Sequence, residues 1–290
     1  VAVKGYFGLR LADMAGRYRA EVKTIEKPWG EWFSLDELEA ALIEHKPAIL
    51  AMVHAETSTG VCQPMEGIGD LCRKHDCLLL LDTVTSLGGV PLYIDEWKVD
   101  LAYSCSQKGL SCPPGLGPFT MGPRAEAKMT ARQGKVPNWY LDVSLLNQYW
   151  GSDRVYHHTA PVNMNFGMRE ALRLLAEEGL DQAWARHRSN AEMLWNGLES
   201  LGLSMHVPAE RRLPTLTTVR IPEGVDGKAF SQHLLNNHGI EVGGGLGSLA
   251  GKIWRIGLMG YNSTPENVNR LLNLFETELP RFSGSVAAAA

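Results

Sequence analysis

Apolar residues in the first half of the chain form short continuous runs that are separated by helical patterns. Three of these runs cover residues 48–53, 78–81 and 101–103. A run of this length without polar interruptions is typical of a strand that is covered on both faces. Before the first run, Ser34-Leu35-Asp36-Glu37 forms a capping box, which predicts a helix start. The first half is therefore predicted to be α/β, with a mostly parallel central sheet covered by helices.

The second half has longer helical patterns and fewer strands. The predicted elements are helices over residues 166–178 and 181–201, a strand over 215–221, a helix over 226–238, a strand over 252–258 and a helix that begins near Pro265. We predict a large domain over residues 1–179, a smaller C-terminal α+β domain over residues 180–282 and a disordered tail over residues 283–290.

Five aromatic residues lie in the Pro- and Gly-rich middle of the chain. They are Trp139, Tyr140, Tyr149, Trp150 and Tyr156. Because aromatic side chains bury large areas, they serve either a core or an interface. Core packing is the expected role here.

Polar residues follow each of the three predicted strands. The first strand is followed by residues 54–58, the second by residues 82–86 and the third by residues 104–108. In an open α/β sheet, ligands bind outside the carboxyl ends of the strands. We therefore expect these three segments to form one site.

Asp82 and Lys108 are the candidate catalytic pair of this site. A lysine amine can bond covalently to an aldehyde cofactor, and a carboxylate can hold a ring nitrogen protonated. This pairing is what pyridoxal 5'-phosphate requires. The alternatives are a solvated surface lysine and an aspartate that only caps the next helix.

Composition and charge exclude several other classes. The chain has 44% hydrophobic and 21% charged residues and a net charge of -4, so neither nucleic acid nor a membrane surface is an expected partner. No apolar run approaches the ~20 residues that span a bilayer. The five cysteines lack paired CxxC spacing, which favours free thiols in a reducing compartment over a zinc site. A cytoplasmic location is the default expectation, with peroxisomal and mitochondrial locations left open.

Several segments together resemble one known family. They are residues 54–60, 82–89, 104–108, 156–159, 243–247 and 255–257. In this order they resemble the alanine–glyoxylate and serine–pyruvate aminotransferases, within the fold-type I pyridoxal phosphate enzymes. The resemblance implies that fold, pyridoxal 5'-phosphate as cofactor, a homodimer with shared active sites, and small amino and keto acids as substrates.

The resemblance also assigns roles to individual residues. Lys108 would form the internal aldimine and move the substrate proton, and Asp82 would pair with the pyridinium nitrogen. Val84 would lie against the ring, Thr57 would bond its hydroxyl, and Gln107 would help to hold the phosphate. An ordinary buried valine and a local turn at Thr57 are the alternatives.

Three residues in the second half complete the assignment. Tyr156 and Thr159 would reach the phosphate of the neighbouring subunit, and Arg255 would grip the substrate carboxylate. A structural salt bridge is the alternative for Arg255. The Gly243 to Gly247 run is expected to be a flexible or closely approached loop near the substrate.

No metal site is expected at His157 and His158. Adjacent side chains on extended backbone point in opposite directions, so these two should not share one ion.

The start of the chain reads like the inside of a domain, so the chain is expected to begin partway through one. The family's glycine-rich phosphate loop and its ring-stacking aromatic residue are expected upstream of Val1. Alanine–glyoxylate transamination is the expected function, and four alternatives stay open. They are serine–glyoxylate transamination, 3-hydroxykynurenine transamination, a cysteine desulfurase and, because of the missing upstream region, a cofactor-free fragment. The desulfurase is disfavoured because Gln107 stands where that group has a histidine.

Overall fold

The computed structural model describes residues 1–283. Its strands are β1 (Ala2–Val3), β2 (Ile25–Glu26), β3 (Ile49–Val53), β4 (Ala55–Glu56), β5 (Val61–Cys62), β6 (Leu78–Asp82), β7 (Leu101–Tyr103), β8 (Phe119–Met121), β9 (Leu216–Arg220), β10 (Gly243–Gly244) and β11 (Ile253–Gly257). Its α-helices are α1 (Tyr6–Arg17), α2 (Leu35–His45), α3 (Ile68–Lys74), α4 (Pro123–Thr130), α5 (Val143–Trp150), α6 (Val162–Glu178), α7 (Leu180–Ser200), α8 (Gly227–His238) and α9 (Pro265–Glu278). Short 3₁₀ helices cover Ala209–Arg211, Gly247–Leu249, Gly260–Asn262 and Leu279–Phe282.

The main sheet has the strand order β2-β1-β3-β6-β7-β8. All of its pairings are parallel except that of β7 with the edge strand β8. The three predicted strands are the neighbours β3, β6 and β7, so the prediction of a mostly parallel sheet is confirmed. Met52, Leu79 and Leu81 are completely buried in this sheet, as expected for strands covered on both faces.

Helix α2 covers one face of the sheet, and its start is the predicted capping box. The Ser34 Oγ accepts a hydrogen bond from the Glu37 N–H at 3.3 Å, and the Glu37 carboxylate accepts one from the Ser34 N–H at 2.9 Å. Leu38 and Leu42 project from this helix into the core of the first half. Local capping and the apolar stripe therefore direct the same helix onto the sheet.

The second half has its own sheet, with the antiparallel order β10-β11-β9, and its own core. Phe230 of α8, Trp254 of β11 and Phe275 of α9 form the aromatic centre of this core, with ring centroids 5.0–5.5 Å apart. The elements predicted here are all present, and Gly179 ends α6 as expected. The division at residues 179 and 180 stays a prediction.

Threonine hydroxyls of the second half bind loops of the first half. Thr218 Oγ1 donates to the Thr59 carbonyl at 2.8 Å, and Thr215 Oγ1 donates to the Thr85 carbonyl at 3.1 Å. Both acceptors lie in the polar segments that follow β3 and β6. The second half is therefore attached to the edge of the sheet where the site was predicted.

Core packing of the middle aromatic residues is a wrong prediction. Trp139, Tyr140, Trp150 and Tyr156 are all more than half exposed in this chain, and Tyr149 is half-buried. The physical reason is that α5 and α6, which flank these residues, bury no residue in either core.

Other differences concern the two ends of the chain. Helix α1 was not predicted, although its sequence is amphipathic, and within it Gly8 and Leu11 are buried. Ser283, the first residue of the predicted disordered tail, forms a β-bridge with Val225 and is therefore part of the folded structure. The rest of that predicted tail, residues 284–290, lies outside the described residues. Over residues 1–283, every helix is too short or too polar to cross a bilayer.

Gly69 of α3 offers a direct test of the packing between α3 and the loop before β7. A Cβ atom at this position would lie 2.0 Å from the Trp97 carbonyl oxygen, so Gly69→Ala should lower the free energy of unfolding by about 1–3 kcal/mol. Gly16→Ala in α1 is the control, because a Cβ there meets nothing within 4 Å and should stabilise the helix by about 0.5–1 kcal/mol. Urea unfolding measures both. Equal effects of the two substitutions would contradict the described packing.

Candidate functional site

The polar segments after β3, β6 and β7 meet at one edge of the main sheet. Val53 is in register with Asp82, and Asp82 is in register with Tyr103. The chain therefore leaves all three strands side by side, as the sequence predicted. This edge holds Asp82 and the loop that carries Lys108.

Asp82 is a buried carboxylate with fixed hydrogen bonds. The Val84 N–H donates to its Oδ1 at 2.8 Å, and the Tyr103 hydroxyl donates to its Oδ2 at 2.6 Å. Burial raises the pKa of Asp82, and these two hydrogen bonds oppose that rise. Burial also raises the pKa of Tyr103, which keeps the hydroxyl protonated as a donor. The sequence analysis did not identify Tyr103, although it ends the third predicted strand.

The loop that carries Lys108 packs against the loop after Asp82. Ser104 Oγ donates to the Thr83 carbonyl at 3.0 Å, and the Cys105 thiol donates to the Val84 carbonyl at 3.7 Å. A Cβ atom on Gly109 would lie 2.4 Å from the Leu87 carbonyl oxygen, so glycine is required directly after the lysine. The half-buried Lys108 amine has no hydrogen bond or ion pair within residues 1–283. It is thus free to react.

Two further charged residues lie at this edge: Lys4, which was not predicted, and Glu56, which lies in the predicted segment 54–58 without an assigned role. Lys4 is 1% exposed, follows β1 directly and donates its amine to the Val53 carbonyl. Burial lowers the pKa of Lys4, while Glu56, Cys62 and Asp82 favour its charged form. Its position in the sequence could have identified Lys4 as a site residue, because it comes at the carboxyl end of a strand of the main sheet, as Asp82 does.

Glu56 caps helix α1 from a distant part of the chain. Its Oε1 and Oε2 accept hydrogen bonds from the N–H groups of Phe7 and Gly8 at 3.4 and 3.2 Å. The Ser58 Oγ accepts a hydrogen bond from the Tyr6 N–H at 2.8 Å. These are the free donors of the first helical turn, and a carboxylate is favourable there because of the helix dipole.

Tyr6 and Phe7 bring aromatic rings to the same edge. The Arg10 guanidinium lies over the Phe7 ring, 5.6 Å from its centroid, and its charge acts on the Tyr103 hydroxyl. The sequence analysis expected a ring-stacking aromatic residue only upstream of Val1. The structure shows that this edge has aromatic side chains of its own.

Arg255 of β11 joins the second half to this edge. Its Nε donates to the Gly244 carbonyl at 2.7 Å and its Nη1 to the Thr57 carbonyl at 3.4 Å. Arg255 has no ion pair within residues 1–283, so the alternative of a structural salt bridge is wrong for this part of the chain. Burial lowers the pKa of Arg255, and Glu56 opposes this shift. The guanidinium thus remains available to an anionic ligand.

The Gly243 to Gly247 run is closely approached, as expected. A Cβ atom on Gly245 would lie 1.9 Å from the Leu249 carbonyl oxygen, and one on Gly243 would lie 3.4 Å from the Arg255 guanidinium. Gly243 and Gly244 also pair with β11. These glycines allow the backbone to pass next to Arg255.

The structure does not bring every predicted residue to Asp82. Thr57 is buried beside Arg255, and Val84 is half-buried above Asp82, but the side chain of Gln107 is exposed. Tyr156 is 76% exposed and its hydroxyl lies 3.4 Å from Thr159 Oγ1, on the surface of the chain.

The geometric argument about His157 and His158 is wrong. Their Nδ1 atoms lie 2.9 Å apart, and the Trp139 ring stacks on the His157 ring with the centroids 4.2 Å apart. The expectation that they hold no metal stays a prediction.

The charge of Lys4 can be tested by substitution. Lys4→Met should lower the free energy of unfolding by about 3–5 kcal/mol at neutral pH, because it removes the buried cation that faces Asp82 and Glu56. Without Lys4, the pKa of Asp82 should rise further above its unfolded value. The stabilisation from protonated Asp82 is then present at acidic pH and lost as pH rises. The loss of unfolding free energy in Lys4→Met should therefore be smaller in mildly acidic buffer than at neutral pH.

Urea unfolding at both pH values measures this difference. Lys74→Met is the control, since Lys74 is a 65% exposed lysine paired with Glu39, and it should change stability little. A deficit that is independent of pH would contradict the role given to Lys4.

Comparison with known proteins places this geometry in a family. The Aminotransferase class-V family matches residues 9–271. The alanine–glyoxylate aminotransferase of Oryctolagus cuniculus is 45% identical over 276 residues, which cover 93% of this chain and 70% of the relative. The (S)-ureidoglycine–glyoxylate transaminase of Bacillus subtilis is 38% identical over 99% of this chain and 74% of its own length.

Solved structures agree with these relatives. A crystal structure of an alanine–glyoxylate aminotransferase from Nostoc sp. has a TM-score of 0.94 and 65% identity, over 95% of this chain and 73% of that one. The chain also spans 66% of the length of the curated relative from Mus musculus. The predicted fold-type I architecture is confirmed by these neighbours, and the chain belongs to the class-V aminotransferases.

Proposed function

We propose that this protein is an alanine–glyoxylate aminotransferase that uses pyridoxal 5'-phosphate and works by a ping-pong mechanism. The observation that carries the proposal is that the loop with the unpaired Lys108 amine packs against the loop that follows the fixed, buried carboxylate of Asp82. The second support is Arg255, whose guanidinium lacks a carboxylate partner within the described residues. Relatives named for glyoxylate, with 45% and 38% identity, support this acceptor.

The residues of the edge fit this cofactor. Lys108 offers a free amine for an aldehyde, and Asp82 offers a carboxylate held by two donors for a ring nitrogen. Thr57 and Val84 would contact the ring, while Gln107, Tyr156 and Thr159 would bind the phosphate. When bound, the cofactor supplies an aldehyde that links to amines and a ring that withdraws electrons from the substrate carbon.

The reaction needs three tasks from the chain itself. Arg255 would bind the substrate carboxylate through paired N–H donors and so orient the amino group. The Lys108 amine would carry the proton from the substrate Cα to the cofactor in the first half of the cycle, and from the cofactor to the Cα of the new amino acid in the second half. Asp82 would keep its negative charge against the ring nitrogen, helped by Lys4 and by the hydrogen bonds from Tyr103 and Val84.

The choice of amino donor is the finer part of the proposal. We propose alanine as the amino donor, with serine as the second candidate, because the Nostoc sp. structure cited above is of an alanine–glyoxylate aminotransferase. A cytoplasmic location is proposed on the free thiols alone.

Substitution of Lys108 tests the reaction. Lys108→Ala should reduce glycine formation from alanine and glyoxylate by about 10²–10⁴-fold, because the proton acceptor is lost. Borohydride reduction of the unmodified protein with its cofactor should label Lys108, as shown by peptide mass spectrometry. Lys252→Ala, at an exposed lysine of the second half, should leave the rate unchanged.

Two outcomes would contradict the proposal. One is an unlabelled Lys108 together with unchanged glycine formation in Lys108→Ala. The other is sulfide release from cysteine without glycine formation, which would identify a desulfurase. Parallel assays with serine and ureidoglycine as donors decide the preferred amino donor.

A homodimer with shared sites is also proposed. Tyr156 and Thr159 lie on the surface of this chain, in a region with the exposed rings of Trp139, Tyr140 and Trp150. A groove of about 880 Å³ lined by Tyr140, Trp150 and residues of α6 adjoins them. Apolar surface of this extent is typical of an interface between copies of a chain.

Hybrid dimers test the shared sites. Mixtures of a Lys108→Ala subunit with a Tyr156→Ala/Thr159→Ala subunit should regain activity, because one site of each hybrid then receives no substitution. Each variant alone should remain weak. If the phosphate residues act within their own subunit, every site of the hybrid carries a substitution and mixing restores nothing. Sedimentation of each sample confirms that hybrids form.

A further inference from the structure

Two histidines and a glutamate meet in the second half of the chain, next to the ends of helices α8 and α9. His233 lies in α8, His238 is the last residue of α8, and Glu278 is the last residue of α9. Their nitrogen and oxygen ligand atoms all lie within 4.8 Å of one another. The proposed transamination uses none of these residues.

The fold brings these side chains together through the aromatic core. Phe230 lies one helical turn before His233, and its ring contacts Phe275 of α9 at 5.0 Å and Phe282 at 5.5 Å. The His233 ring in turn lies 5.2 Å from that of Phe282. The ends of α8 and α9 are therefore held next to each other by aromatic packing around Phe230, to which the His233 ring contributes.

The pairwise geometry is close to that of a metal site. His233 Nε2 lies 2.9 Å from Glu278 Oε2, and the His233 and His238 rings are 5.3 Å apart. Ligand atoms of a tetrahedral zinc site lie about 2.0–2.2 Å from the ion and so about 3.3 Å from one another. Because the three ligand atoms already lie within 4.8 Å of one another, the approach to this spacing requires only a small movement of side chains.

The environment suits a cation bound by nitrogen and oxygen. His233 and Glu278 are 19% and 15% exposed, so an ion here would be half-buried yet reachable from solvent. Burial acts to raise the pKa of Glu278, but hydrogen bonds from His233 and Arg281 hold it below its usual value, so the carboxylate stays charged. Arg281 is 65% exposed, and it can leave Glu278 when a metal ion replaces it.

We propose that His233, His238 and Glu278 bind a divalent transition metal ion of the zinc type, with a fourth position open to water. Two imidazoles and one carboxylate are a ligand set that zinc uses in proteins. An ion held in this way links the end of α8 to the end of α9. Its binding should therefore stabilise the folded chain, by an amount that rises with the logarithm of the free metal concentration above the dissociation constant.

Calorimetric titration of the full chain with Zn²⁺, after treatment with a chelator, tests this proposal. One ion should bind per chain, and the melting temperature should rise with Zn²⁺ concentration. His238→Ala should weaken the binding by about 100-fold or more and remove the thermal shift. His238→Gln repeats the test with a polar side chain of similar length, should the alanine variant fold poorly.

His75→Ala is the matched control. His75 Nε2 lies 3.1 Å from Glu39 Oε1, and both residues are half-buried, but within residues 1–283 no third potential metal ligand joins this pair. This variant should bind Zn²⁺ as the unmodified chain does. Equal losses in His75→Ala and His238→Ala would overturn the proposal.

Substitution with Co²⁺ separates the histidine site from the free thiols. Nitrogen and oxygen ligands should give visible bands without the charge-transfer band of a thiolate. A thiolate band that disappears when Cys72 and Cys77 are replaced by serine would assign the ion to the cysteines and overturn the proposal. Absence of stoichiometric binding would show that the cluster is a hydrogen-bond network only. None of these readouts depends on transamination, so the two proposals fail separately.

Discussion

The buried charges at the carboxyl edge of the main sheet are the constraint on which the rest of the site depends. Lys4, Glu56 and Asp82 are all buried there, and they carry one positive and two negative charges. The charge of Glu56 is offset in part by the first turn of α1, because the carboxylate accepts hydrogen bonds from two N–H groups of that turn. Asp82 keeps its hydrogen bonds but lacks a cation of its own. Under the proposed function, a protonated ring nitrogen would add a positive charge next to Asp82, so the bound cofactor would offset the charge of this carboxylate. This argues that cofactor binding and folding of this edge are coupled.

The same edge explains how the two halves cooperate. Threonine hydroxyls from β9 and the segment before it bind the loops after β3 and β6, and Arg255 reaches the Thr57 carbonyl from β11. Under the proposed function, the substrate-binding cation is thus positioned by the second half, whereas the reactive amine and the carboxylate are positioned by the first. A shift of the second sheet would change the distance between Arg255 and Lys108. Substrate orientation therefore depends on hydrogen bonds that lie outside the chemical centre.

Much of this arrangement could be predicted from local sequence signals. The strand ends at Asp82 and Tyr103 follow from uninterrupted apolar runs, and the capping box at Ser34 from two residues. Lys4 and Glu56 could not be assigned in this way, because their partners are far away along the chain: Lys4 binds the Val53 carbonyl and Glu56 caps α1. The exposure of Trp139 and Tyr156 was also missed, since an aromatic residue gives the same local signal in a core and in an interface.

That ambiguity is resolved by where the middle segment packs. Helices α5 and α6 bury nothing in either core, yet they carry Trp150 and Phe166 outward beside Tyr156. A segment this apolar with no core of its own gains its stabilisation only when another surface covers it. Tyr156 and Thr159 are far too exposed to hold a phosphate by themselves, and a second copy would supply both the cover and the neighbouring site. Under the proposed homodimer, the exposed aromatics and the two surface hydroxyls have a single explanation, because each proposed active site would receive residues from both chains.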